Sequence, residues 1–541
     1  MYRTGLKGRV LPLSRLLILI LLVAALCGGL LVGYAGCGTE NTTVETAQGQ
    51  VKGAVDDNGL YVFKGIPYAK PPEGDLRFKA PQPPEPWDDT FEALDFGPIA
   101  MQPTDEYEAT ELPQSEDCLT LNIWTPGIDD AGRPVMVWIH GGGWTNGSGR
   151  DPWYDGAAFA QRGDVVLVTI NYRLGAFGWL YLGDIGSSGY AESGNLGLLD
   201  QAAALEWVRD NIAGFGGDPH KVTVFGESAG SMSVGCLLGM PAAKGLFQQA
   251  IEESGALNTL RNPAYAEGIT QKLMAKAGVG DVEGLLSLTS EELLQAEEDL
   301  MGDEFLTDTL FGPVVDGTVL PEPPLHAIAN GSAAGIPLLI GTNLDEVRLW
   351  SLYIPGLLEF SIKADLQAMP WLKGAITGTL EDIVASYESR RPEASEGDIA
   401  MAIGTDILFR VPAIRLAEAQ AKNQPRTWMY LFTWPSTVDE LGSCHAVELP
   451  FVFNNLGAEG VADILGGDPP QELADMMQDT WIAFARNGDP NNVMLPDWPS
   501  YEVGARATMQ LDVQPLLVND PYGADRQVWD GVPFDSVVPS L

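Results

Sequence analysis

Val224-Phe-Gly-Glu-Ser-Ala-Gly230 is the stretch on which the reading of this 541-residue chain turns. It matches Gly-x-Ser-x-Gly, which a chain with 62 glycines meets by chance roughly 0.4 times, so its surroundings carry the argument. Before it, Lys221-Val-Thr-Val-Phe225 is a short β-branched run of the kind that forms a buried strand. After it, Ser231-Met-Ser-Val-Gly-Cys-Leu-Leu238 suits an apolar helix. A strand that reverses tightly into a helix holds Ser228 on strained backbone at the sheet's edge. Side chains at 226 or 230 would clash in that turn, hence glycine at both. The helix N-terminus behind the serine favours developing negative charge. An ordinary strand-to-helix turn is the plain alternative.

Elsewhere in the chain, Pro134-Val-Met-Val-Trp-Ile139 and Asp164-Val-Val-Leu-Val-Thr-Ile170 are further buried strands, and Gly197–Val208 repeats apolar residues at helical spacing. Strands alternating with helices predict an α/β fold, a mostly parallel, doubly wound central sheet with helices on both faces. Helix-like segments at about 265–305 and 355–425 are expected as cap insertions. Upstream, Trp138-Ile-His140-Gly-Gly-Gly-Trp144 ends a strand in a loop of exposed backbone N–H groups. Gly142 and Gly143, with the amide of Ala229, are candidate donors to an oxyanion. A phosphate-cradling loop would need a following Gly-Lys-Ser/Thr, which is missing.

Composition narrows the class. The chain has 73 acidic and 31 basic residues, a net −42, so nucleic acid is excluded as a natural partner. Solubility explains that charge without invoking cationic substrates. Four histidines without ligand spacing predict no metal site, and no cofactor motif is present. Cys118, Cys236 and Cys444 allow at most one internal disulfide. Arg3, Lys7, Arg9 and Arg15 flank the apolar run Leu16–Ala25, which continues to about Ala35. Residues 1–36 read as a signal peptide or membrane anchor, 37–47 as a polar tether, and 48–541 as one catalytic domain. Export is expected on either reading, secreted or held at the outer face of the membrane. Ala35-Gly36-Cys37 resembles a bacterial lipoprotein cleavage site, with Cys37 as the lipidated residue.

Several blocks resemble the type-B carboxylesterase family, which includes the cholinesterases. They are Phe63–Pro72, Leu76-Arg-Phe78, Ser115-Glu-Asp-Cys-Leu-Thr-Leu-Asn122, Asn171–Gly178, Gly194–Gln201, Asn211–Pro219, Gly312–Gly317 and Phe484–Asn491, spanning most of the chain in order. The resemblance implies an α/β-hydrolase fold and a serine hydrolase acting on small carboxylic esters through an acyl-enzyme. It places the acid in Gly341-Thr-Asn-Leu-Asp-Glu346, hence Glu346, with Asp345 as local rival, and the histidine before Glu448-Leu-Pro-Phe, hence His445. Arg77 is expected to pair with Glu116, and Ser254 to stand behind the triad. Ala100 occupies the position of the family's first cysteine, which leaves Cys118 without its usual partner. The loop from Ala100 to Cys118 has Tyr107 as its one aromatic and no tryptophan, unlike cholinesterases, so neutral esters and broad specificity are favoured. Trp144 either narrows the substrate pocket or packs in the core. The rival function is a non-catalytic cell-surface adhesion protein on the same fold.

Overall fold

Side chains along the central strands alternate between two apolar layers, one on each face of a sheet. The computed structural model describes residues 41–103, 112–186, 188–257, 259–304, 310–354 and 380–532. The expected leader, Cys37 and Tyr107 lie outside them, as does the first part of the second cap segment. The sheet's strands are β1 (Ala54–Val55), β2 (Tyr61–Pro67), β3 (Thr120–Thr125), β4 (Arg133–Ile139), β5 (Val166–Ile170), β6 (Gly217–Glu227), β7 (Gln249–Glu253), β8 (Leu338–Asn343), β9 (Thr427–Phe432), β10 (Ala507–Leu511) and β11 (Leu516–Asn519). Their order is β1-β2-β3-β5-β4-β6-β7-β8-β9-β10-β11. From β5 to β10 all neighbours are parallel, and antiparallel pairs close both edges. In β4, Val135, Val137 and Ile139 enter one layer while Met136 and Trp138 enter the other; β5 repeats this with Val166 and Val168 against Leu167. Strands buried on both faces need apolar residues at every position, which is why these runs read as continuous rather than alternating.

The principal helices are α1 (Leu196–Asn211), α2 (Ala229–Gly239), α3 (Pro263–Ala277), α4 (Ser290–Glu304), α5 (Leu380–Arg390), α6 (Glu396–Thr405), α7 (Val411–Ala421) and α8 (Gln471–Asn487). On one face α2 packs on β6 and β7; on the other α8 packs on β4 and β6. Buried Leu473, Met477, Trp481 and Phe484 recur at helical spacing along α8, whose apolar side faces the sheet. Within the cap candidates, α3 packs on α4, whereas α7 lies against β8 and β9 and belongs to the sheet's own cover. Asp406–Arg410, between α6 and α7, is a π-helical stretch.

One expectation needs correction. The tether does not extend to residue 47: Thr43–Thr46 is already a strand, paired antiparallel with Gly49–Lys52. Cys118, Cys236 and Cys444 are all buried free thiols, so no bridge forms among them.

The parallel strands decide where chemistry can happen. His140–Gly143 follows β4, Ser228 follows β6, Glu346 follows β8, and His445 lies on the connection after β9. All leave from the C-terminal ends of their strands, where open α/β sheets bind ligands.

Candidate active site

Ser228 sits between β6 and α2 with φ 54° and ψ −123°, backbone that a β-bearing residue adopts only under constraint. The constraint is visible. The Ser228 N–H donates to the Glu253 carbonyl at 2.9 Å, and the Met232 N–H donates to the Ser228 carbonyl at 2.9 Å. A Cβ on Gly226 would stand 2.6 Å from the Ile139 carbonyl oxygen, and one on Gly230 only 2.0 Å from it. The two glycines therefore let the turn press against the end of β4, as the sequence implies.

That pressing brings the glycine loop to the serine. A Cβ on Gly141 would lie 3.1 Å from Ser228 Cβ and 2.8 Å from Glu227 Oε2. Gly142 has φ 97°, a conformation that favours glycine, and its carbonyl accepts from the amides of Thr145 and Asn146 at 3.0 and 3.1 Å. The amides of Gly142 and Gly143 donate to no group among the described residues. Ala229, first in α2, has no intrahelical acceptor for its own N–H. His140 is buried, stacks on Tyr172 at 4.4 Å and meets the Gly141 carbonyl through Nδ1; burial takes its pKa down to about 4, so it stays neutral as a structural part of the loop.

Glu346 and His445 meet across 99 residues. His445 Nδ1 lies 2.7 Å from Glu346 Oε2, and the His445 N–H donates to the Glu346 carbonyl at 3.0 Å. Glu346 Oε1 accepts the Asn343 N–H at 2.7 Å. Asp345, the rival acid, is turned away and accepts the Ser443 N–H at 3.0 Å. His445 Nε2 faces Glu227 Oε1 at 3.0 Å, an ion-pair approach rather than an aligned hydrogen bond. Among the described residues no hydrogen bond joins the Ser228 hydroxyl to the His445 ring. Trp350, centred 5.2 Å away at 29°, and Phe409, at 4.8 Å, flank the imidazole. Burial drives the His445 pKa down, but Glu227 and Glu346 outweigh it and raise it well above the ordinary 6.5. Glu227 is itself raised, by burial first, and held back by His445.

A further acid stands behind these. Glu448, fully buried, accepts from Asn343 Nδ2 and, at 3.2 Å, from the Ser254 hydroxyl. Burial, then the charges of Glu227 and Glu346, raise it to about 8. Ser254 is thus connected to the acid cluster, where the resemblance puts it. Neither Glu227 nor Glu448 was singled out for chemistry in the sequence, although both lie inside quoted motifs. Trp350 and Phe409 carry no sequence signal, because their position depends on the turn after Glu346 and on the π-helical stretch.

The carboxylesterase family model matches residues 40–529. The chain belongs to the carboxylesterase family. The para-nitrobenzyl esterase of Bacillus subtilis (strain 168) is 44% identical over 494 residues, 90% of this chain and 97% of that one. The phenmedipham hydrolase of Pseudarthrobacter oxydans is 35% identical over 491 residues, 86% of this chain and 94% of that one. A crystal structure of the Geobacillus stearothermophilus carboxylesterase at pH 6.2 superposes with a TM-score of 0.83 at 43% identity, covering 90% of this chain and 100% of that one. The fold is the α/β-hydrolase fold, and the protein is a carboxylic ester hydrolase. Nothing in these relatives favours the adhesion alternative.

Other features of the family resemblance also take their places in the fold of this carboxylesterase. Arg77 and Glu116 form a buried bidentate pair rather than a surface one; Arg77 Nη1 also donates to the Leu288 carbonyl at 2.7 Å. Ala100 and Cys118 line one small cavity together, and the thiol is pushed up by burial. Trp144 packs in the core, 1% exposed, with its indole N–H donating to Ser233 Oγ at 3.0 Å. The pocket-narrowing reading of that residue is not what the fold uses.

Proposed function

We propose that this carboxylesterase cleaves esters through an acyl-enzyme, with Ser228 as nucleophile, His445 as general base and acid, and Glu346 as the carboxylate that orients it. The observation that carries this reading is the 2.7 Å contact of His445 Nδ1 with Glu346, which leaves Nε2 turned toward the serine elbow at Glu227. His445 Nε2 takes the Ser228 proton as Oγ attacks the ester carbonyl, and Glu346 stabilises the resulting imidazolium. The carbonyl oxygen gains charge and is held by the amides of Gly142, Gly143 and Ala229, worth roughly 3 kcal/mol of barrier each. His445 then protonates the leaving alcohol. Water repeats the sequence on the acyl-enzyme, releasing acid and restoring Ser228.

The substrates are neutral esters of modest size, aryl and benzyl esters among them. The name of the Bacillus subtilis relative supports the benzyl class, and the absence of tryptophan between Ala100 and Cys118 argues against cation selection. Hydrolysis of p-nitrophenyl acetate and a p-nitrobenzyl ester by the full chain and by Ser228→Ala tests the reading. Loss of about a millionfold in kcat is expected from removing the nucleophile; equal turnover would overturn it.

The N-terminal basic flank, the apolar run to about Ala35 and Cys37 support export with lipid attachment. Mass spectrometry of the mature N-terminus in a bacterial host is expected to show diacylated Cys37, and Cys37→Ser to release the enzyme. An unprocessed Met1 in the cytosolic fraction would contradict export.

A further inference from the structure

Glu297, on α4, is a carboxylate in the wrong place for a surface helix: it is 1% exposed and reaches the Gly175–Ala176 turn. Its Oε2 accepts the Ala176 N–H at 2.8 Å, and its Oε1 meets no donor among the described residues. The carboxyl lies flush on Gly175, where φ is 49° and a Cβ would stand 2.1 Å from Oε1. The Gly175 N–H in turn donates to the carbonyl of Trp144 at 2.8 Å, and Trp144 directly follows Gly143. Trp179, at the end of the same short helical turn, packs its ring 5.7 Å from that of Trp144. Trp144 has φ 61°, so its conformation needs holding from outside. Its other anchor is Ser233 Oγ, which donates to the Ala229 carbonyl at 2.8 Å.

The contacts thus run from Glu297 on the cap helix through the Gly175 turn to Trp144, which adjoins Gly143 and connects through Ser233 to Ala229. We infer that Glu297 is a positioning residue for the oxyanion hole: by gripping the Gly175–Ala176 turn it fixes Trp144 and so aims the amides of Gly142 and Gly143. The inference rests on the catalytic reading above and adds a second layer to it. An isolated buried carboxyl is costly to keep. Burial pushes this one up to about 7, partly offset by the Ala176 N–H, with Glu298 raising it further. An acceptor held there at that cost, in hydrogen-bond contact with the loop's support, is what a positioning role requires; helix packing alone is met by leucine.

The test uses the full chain carrying Glu297→Leu, Glu297→Asp or Glu297→Gln, assayed with p-nitrophenyl acetate and with an aryl trifluoromethyl ketone. That ketone's hemiketal oxygen occupies the hole, so its affinity reports the donors directly. The Leu and Asp variants are expected to lose about tenfold in kcat, less than the about hundredfold that follows outright loss of one oxyanion donor. KM should stay unchanged, because the lost interaction is made only in the transition state. Ketone affinity should fall with kcat/KM, and Gln, which keeps an oxygen acceptor at the same reach, should retain wild-type values. If Leu proves too unstable to assay, Asp, which withdraws the acceptor by one methylene, decides. Wild-type kcat in a folded Asp or Leu variant, or a lower kcat with unchanged ketone affinity, would overturn the inference. Turnover surviving in Ser228→Ala would instead remove the catalytic reading beneath it.

Discussion

At the serine elbow, a Cβ on Gly230 would stand 2.0 Å from the Ile139 carbonyl; beside it, His445 has carboxylate oxygens 2.7 and 3.0 Å from its two ring nitrogens. The elbow is built by steric exclusion among backbone atoms close in the fold. The acid–base side is built by charge, with Glu227 and Glu346 buried against the two nitrogens of one imidazole. A steric device is all-or-none, since an added methyl either fits or displaces the turn. An electrostatic device is graded, because each carboxylate moves the imidazole's proton affinity by its own increment. The two halves of the site should therefore answer mutation differently.

The largest effect is expected at the elbow. Gly230→Ala forces the turn off β4, and ester hydrolysis is expected to drop to the level of Ser228→Ala, with a lower melting temperature; near-normal kcat would show the turn to be more yielding than its geometry implies. Glu346→Gln comes next, with a loss in kcat of about ten-thousandfold at neutral pH, because the amide removes the charge beside Nδ1 and can stabilise the wrong tautomer. A loss under tenfold would hand the orienting role to another acid, Asp345 first. Glu227→Gln is the mildest and the most informative. As a base His445 must be neutral, so a raised pKa places the acid limb of the kcat/KM profile above the 6.5 of an ordinary imidazole. Removing the Glu227 charge destabilises the imidazolium and moves that limb to lower pH. A limb that stays in place would mean that Glu227 carries no charge in the free enzyme.

The same contrast explains what could be read from sequence. The elbow is local: Val224–Gly230 contains the strand end, both obligatory glycines and the proposed nucleophile, so steric reasoning on seven residues suffices. The sheet was equally legible, since β-branched runs such as Val135–Ile139 have few other places to go. Glu346 and His445 came from the family resemblance, because their meeting depends on how two connections after β8 and β9 fold together. The choice between Asp345 and Glu346 is made by a turn in which the Ser443 N–H captures Asp345. Trp350 and Phe409 were invisible for a similar reason: the π-helical stretch that carries Phe409 to the imidazole has no residue signature. The fold starts a few residues before the boundary expected from sequence, since Thr43–Thr46 looks like polar tether until its partner Gly49–Lys52 pairs with it.

In the proposed mechanism one hydroxyl, on Ser228, carries the acyl group between ester and water. Rapid acid quench of the enzyme during the pre-steady-state burst with p-nitrophenyl acetate, followed by peptide mass spectrometry, tests it most directly. A single acetyl group is expected on the peptide containing Gly226–Gly230, localised to Ser228 and absent from Ser228→Ala. Acetyl at another residue, or product release with no acylated peptide at any quench time, would contradict it.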